Sequence, residues 1–136
     1  MPRVVTTEGS DNYKVADAGS SVSTGNWHYL TGVYDGSYLR IYVDGIQSGT
    51  PLALTGSVDT NSDSFDISGL DNQTQMFSGT IDEVRISKTA RTAGWIQTEY
   101  NNQFAPQYFY ALSGSNLQTR SAGIPLIKIR GGVRFH

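Results

Sequence analysis

Two Asp-Gly pairs constrain this chain more than any other feature. Asp35-Gly36 follows the β-rich run Trp27-His28-Tyr29-Leu30-Thr31-Gly32-Val33-Tyr34, and Asp44-Gly45 follows Tyr38-Leu39-Arg40-Ile41-Tyr42-Val43. Asp-Gly supplies the positive φ angles that let a tight turn match the twist of flanking strands. Two such pairs in succession predict a three-stranded antiparallel meander that continues through Ile46-Gln47-Ser48. In its middle strand Leu39, Ile41 and Val43 alternate with Tyr38, Arg40 and Tyr42, which gives one aliphatic face and one aromatic, basic face.

The rest of the chain is compatible with that reading. Arg3–Thr7 and Asn12–Ala16 read as short strands around a turn at Gly9-Ser10. Ser64–Ser68 alternates briefly, Met76–Ser87 is the longest strand candidate, and Phe109–Leu112 could add one more. Gly79, inside the longest run, predicts a bulge or a close backbone approach. One helix is expected: Thr92 can cap a run from Ala93 to about Asn102 in which Ile96 and Tyr100 share a face. Trp95 is expected to pack that helix onto the sheet. Only 16% of residues are charged and 15 of the 136 are glycine, which excludes a coiled coil or helical bundle and favours one all-β domain.

Cysteine is absent, so disulfides, zinc–thiolate sites and thiol nucleophiles are excluded. The net charge of −2 is unevenly spread, about −6 over residues 1–99 and +4 over residues 100–136. Four bases in that tail, without interleaved aromatics, do not make a nucleic-acid surface. No window approaches the ~18 apolar residues of a membrane span, so no membrane insertion is expected. The opening residues lack the apolar stretch of a secretory signal, so no signal peptide is expected in this chain.

The segments Asn26–Ser37 and Leu39–Gly45 resemble the "W-H-h-h-x-G-x-Y-D-G … L-x-h-Y-h-D-G" pattern (h, apolar) of laminin-G-like domains in the concanavalin A-like lectin/glucanase superfamily. Phe77–Ile86 is similar to that family's late "F-x-G-x-I-D-E-V-R-I" strand, and Ala90–Gln103 to the closing helix of its bacterial and archaeal surface members. The resemblance implies an antiparallel jelly-roll β-sandwich with one short C-terminal helix. The resemblance runs from about residue 26 to 104; the sandwich is expected over residues 1–112, with opening strands shortened or absent, and residues 113–136 as a basic tail or extra strand, with Ile124–Ile129 its core-like part. A missing opening strand would expose a sheet edge, and unpaired edges invite a further segment or a second molecule.

The same resemblance implies recognition of carbohydrate or protein, often with a structural Ca²⁺. Tyr38, Arg40 and Tyr42 carry the flat aromatic faces and hydroxyl-binding groups that a sugar site needs. Trp27 is expected in the core. Asp82 is the candidate metal ligand, with Asp11, Asp17, Asp63 and Asp71 as partners from loops, since Ca²⁺ takes about six to eight oxygens. The alternative for Asp82 is a turn cap or a pair with Arg85. No E-x-D-x-E run provides the closely paired carboxyls of a retaining glucanase. His28 and His136 are far apart and accompany no G-x-S-x-G, so enzymatic activity is not expected. Asn72-Gln73-Thr74 is a glycosylation sequon. The expected function is a non-catalytic, glycan-binding module of a larger extracellular or cell-surface protein. An assembly module that oligomerises through an open edge and the tail is the alternative, and a glycoside hydrolase fragment the second.

Overall fold

The computed structural model describes residues 1–7, 12–58, 67 and 77–106. Five strands and one helix lie within them: β1 (Arg3–Thr7), β2 (Tyr13–Asp17), β3 (Leu30–Tyr34), β4 (Tyr38–Val43), β5 (Ile46–Ala53) and α1 (Ala93–Phe104). All ladders are antiparallel, with β1 and β2 in one sheet and β3-β4-β5 in the other. The expected all-β sandwich with one short helix is what forms. Outside the described residues lie the expected strands at Ser64–Ser68 (except Ile67) and Phe109–Leu112, the turn at Gly9-Ser10, the sequon and the tail from 113.

The meander forms as its turns dictate. Val43 pairs with Ile46 across Asp44-Gly45, whose φ angles of +52° and +80° are the two positive values of a type I′ turn. The first Asp-Gly makes a longer connection, with Tyr34 paired to Leu39 and Gly36 at φ +90°. In β5 the register slips between the Leu39–Leu52 and Ile41–Ser48 pairs, and Gly49 at φ +76° accommodates the extra residues.

Cross-strand pairing assigns the two faces. Gly32, Tyr34, Leu39, Ile41 and Leu52 share one face, and the β1-β2 hairpin covers it through Val4 and Ala16, forming a core with Leu39 and Leu54. The approach is close at Gly32, where an added Cβ would sit 2.6 Å from a Val4 methyl. On the opposite face Val33 and Tyr42 pack beneath Ile96 of α1, with Tyr29 alongside. Thr92 caps that helix by accepting from the Trp95 N–H at 3.2 Å, as expected. Tyr100 lies between Tyr29 and Phe104, with ring centroids 6.4 and 5.4 Å away.

Three expectations about packing need correction. Trp27 is 69% exposed, because β3 begins only at Leu30 and the indole lies ahead of the ladder. Trp95 is not the helix anchor: it is 38% exposed beneath the Arg91 guanidinium, while Ile96, one position on, turns inward and is fully buried. Residues 77–87 form no strand. Glu83 takes φ +55°, which breaks an extended run, the Phe77 ring folds back over Gly79, and no described strand lies alongside to complete a ladder. Phe77, Ile81, Val84 and Ile86 are consequently exposed, and Arg85 fastens the segment to α1 through Glu99 at 2.6 Å.

Candidate functional site

The alternation in β4 decides where a ligand can lie. Residues at i and i+2 stand about 7 Å apart on one face of a strand. Tyr38, Arg40 and Tyr42 therefore form a row about 14 Å long on the face opposite Leu39 and Ile41. The row is not uniformly open. Helix α1 crosses its Tyr42 end, so that side chain is 6% exposed beside Ile96. Of the three candidate side chains, Tyr42 belongs to the core through most of its surface.

Tyr38 and Arg40 remain together and accessible. The Arg40 guanidinium sits 4.9 Å from the Tyr38 ring centroid, and Tyr38 is 42% exposed. Asp35 fixes this pair from the turn. Its Oδ2 accepts from Arg40 Nη1, and its Oδ1 accepts the backbone N–H of Ser37 at 2.9 Å and of Tyr38 at 2.8 Å. The Arg40 side chain first, then those two amides, lower the Asp35 carboxyl from 3.8 to about 2. A depressed folded value means that the carboxylate supports the fold above its unfolded value and loses that support as pH falls from about 4 through about 2. Amide exchange at Ser37 and Tyr38 is therefore expected to accelerate across that acid window, and an Asp35→Asn variant to lack this pH dependence. Exchange insensitive to acid in the parent chain would contradict the assigned bonds.

At the Tyr42 end a groove of about 380 Å³ opens between the β4-β5 turn and the start of α1. Tyr42, Gly45, Ile46, Gln47, Gly94 and Gln97 are among its lining residues. The volume falls in the lower part of the range for small-ligand clefts. Gln47 is paired with Tyr42 in the ladder, which puts its side chain on the same face, and Gln97 is contributed by the helix. Neither glutamine stood out in the sequence, because the groove exists only once α1 returns to the turn. The signal available was modest: Gln47 directly follows the Asp44-Gly45-Ile46 turn, and Gln97 directly follows Ile96.

Asp82 is exposed, and its Oδ1 accepts the N–H of the adjacent Glu83 at 2.8 Å. Arg85 pairs with Glu83 and Glu99. Of the suggested partner acids, Asp17 is engaged by Arg3 at 3.2 Å, while Asp11, Asp63 and Asp71 lie outside the described residues. No group of three or more acidic, histidine or cysteine side chains among the described residues could hold a metal ion.

Sequence reasoning also missed a local hydrogen-bond string. His28 Nδ1 lies 2.8 Å from Asp44 Oδ2, and its Nε2 lies 2.9 Å from Ser23 Oγ. The clue was the packing of Ser23, Asn26 and His28 around Gly25 ahead of β3, which G-x-S-x-G patterns do not capture.

A family model, Laminin_G_3, described as the concanavalin A-like lectin/glucanases superfamily, matches residues 2–97. Among solved structures the chain is similar to a crystal structure of an S-layer domain-containing protein from Clostridium thermocellum. The two share 22% identity with a TM-score of 0.45, over 72% of this chain and 50% of that one, so the chain spans half the length of that structure. No curated protein matches.

Proposed function

The chain belongs to the concanavalin A-like lectin/glucanases superfamily as a laminin-G-like domain, and from that membership we propose that it is a recognition module for carbohydrate. The observation that carries this reading is the fixed Tyr38–Arg40 pair on an open sheet face, continuous along β4 with the groove beside Tyr42. The exposed Tyr38 ring offers an apolar face to sugar C–H groups, and Arg40 offers hydrogen-bond donors to hydroxyls. Gln47 and Gln97 supply both donors and acceptors at the groove. The accessible Tyr38–Arg40 stretch, about 7 Å long, suits one or two sugar units laid along the strand. Such a module would serve a larger protein outside the cell or at its surface.

Calorimetry against a glycan panel, with and without Ca²⁺, tests the reading. Tyr38→Ala and Gln97→Ala are each expected to weaken binding about tenfold, near 1.4 kcal/mol, without a change in fold. Absence of binding to every glycan in both conditions overturns it. The calcium arm also decides whether Asp82 contributes to an ion site, in which case Asp82→Asn removes the metal dependence.

Assembly is a second reading, supported by an apolar row that meets the groove at Ile46. Leu30, Val43 and Ile46 form one cross-strand row, and Leu30 and Ile46 are 51% and 66% exposed. Contiguous exposed apolar side chains favour association. Light scattering on the full chain would report a dimer that Ile46→Lys dissociates; a monomer at all concentrations excludes it.

A further inference from the structure

The string at His28 has the bonding order of an activated hydroxyl. Asp44 is the first central residue of the type I′ turn, and its two oxygens diverge: Oδ1 accepts the Tyr29 N–H at 2.9 Å, and Oδ2 faces His28 Nδ1 at 2.8 Å. An ionised carboxylate can only accept, so Nδ1 carries the hydrogen. In the neutral imidazole, Nε2 then presents its lone pair to Ser23 Oγ at 2.9 Å, and the serine O–H donates to it. The backbone turn at Gly25, φ +79°, brings Asn26 back so that its Nδ2 donates to the same oxygen at 3.2 Å. The His28 side chain is 19% exposed, whereas Ser23 is open to solvent.

We propose that Ser23 is a nucleophile toward small acyl esters, with His28 as its general base. Asp44 is a positioning residue that holds the ring in the required tautomer, and Asn26 places an amide donor beside the carbon under attack. Recognition by residue types and mutual geometry, rather than by order along the chain, is how such constellations are identified across unrelated folds. The step balances within the groups present. Ser23 Oγ bonds to the ester carbonyl carbon as its proton passes to His28 Nε2. The bond to the alcohol oxygen then breaks, and His28 returns the proton to the departing alcohol. Water attacks the acyl-serine as His28 takes its proton; the acyl–Oγ bond then breaks, His28 returns the proton to Ser23 Oγ, and the carboxylic acid leaves. Asn26 Nδ2 can donate to the oxyanion that forms in each half, a role that side-chain amides fill elsewhere. Because Ser23 is exposed, the substrates are small acyl groups on good leaving alcohols, without selectivity for chain length. The inference does not depend on glycan binding, since neither Tyr38 nor the groove takes part.

The full chain should be treated with a fluorophosphonate and the adduct mapped by mass spectrometry, alongside p-nitrophenyl acetate hydrolysis. Labelling at Ser23 is expected, and Ser23→Ala, at an exposed position that leaves the fold intact, should abolish both labelling there and hydrolysis above background. His28→Gln should slow the labelling of Ser23 about 100-fold, the span of general-base assistance, with the thermal midpoint measured in parallel. Asn26→Ala should reduce ester turnover while leaving Ser23 in place. An unlabelled Ser23, a Ser23→Ala chain that hydrolyses the ester as fast as the parent, or a folded His28→Gln chain labelled at the parent rate would reduce the string to a structural tie between loop and hairpin and overturn the proposal.

Discussion

Replacing Gly49 by alanine is expected to destabilise the fold severely, whereas the same change at Gly36 is expected to be mild. Both glycines have positive φ, +76° and +90°, so a side chain at either incurs a left-handed backbone penalty of about 1–2 kcal/mol. The surroundings then separate them. Nothing lies within 4 Å of a Cβ built at Gly36. At Gly49 the Cβ would overlap the backbone carbonyl oxygen of Asp17, with the Gly19 nitrogen 3.2 Å away. Backbone cannot swing aside as a flexible side chain can. This is also where the Gly19 N–H donates to Ser48 Oγ at 3.0 Å, at the crossing of the two sheets. Relieving the overlap means parting the β1-β2 hairpin from β5 and uncovering Ala16, Leu39 and Leu54. A total cost on the order of 4 kcal/mol or more is expected for Gly49→Ala, a large part of the ~5–15 kcal/mol that stabilises a domain. Urea unfolding of the two variants side by side checks the argument, and equal midpoints would refute the close crossing.

The second large effect is expected at Ile96. It is the one helix residue with no exposed surface, and it joins Val33 and Tyr42 into the core of the outer face. Truncation to alanine removes the apolar contact and leaves a cavity, at about 2–5 kcal/mol, while valine should cost about 1 kcal/mol. The consequence reaches function because α1 supplies Gln97 and Gly94 to the groove. Ile96→Ala is therefore expected to lower the unfolding midpoint and, in chains that stay folded, to weaken any ligand of the Tyr42 groove more than one held at Tyr38. Denaturation curves together with binding titrations separate the two effects. If Ile96→Ala and Trp95→Ala prove equally destabilising, the anchor has been assigned to the wrong residue.

Much of the architecture could be read from adjacent residues. Asp44-Gly45 set a type I′ turn and hence the Val43–Ile46 register, because only residues tolerant of positive φ occupy both central positions. Period-2 alternation placed Leu39 and Ile41 inside, where both are buried. Thr92 marked the start of α1 through a bond to an amide three residues ahead. These signals act over a few residues, so a sequence carries them openly.

The site was legible only in part. Tyr38 and Arg40 lie where alternation put them, but alternation is silent about what covers a face. Tyr42 is buried because Ile96, far along the chain, returns onto it. Trp27 read as core from its place at the head of a β-rich run, yet a strand begins where a partner supplies hydrogen bonds, and β4 ends opposite Leu30. Residues 77–87 have strand composition without a described neighbour to pair with, and composition alone makes no ladder. The groove and the Ser23–His28–Asp44 string likewise join residues from separate elements. The order of residues by itself determined turn type, strand phase, helix start and the family to which the chain belongs. The tertiary structure alone decided which aromatic rings reach solvent and which polar groups meet, because burial and pairing depend on surfaces that distant segments bring together.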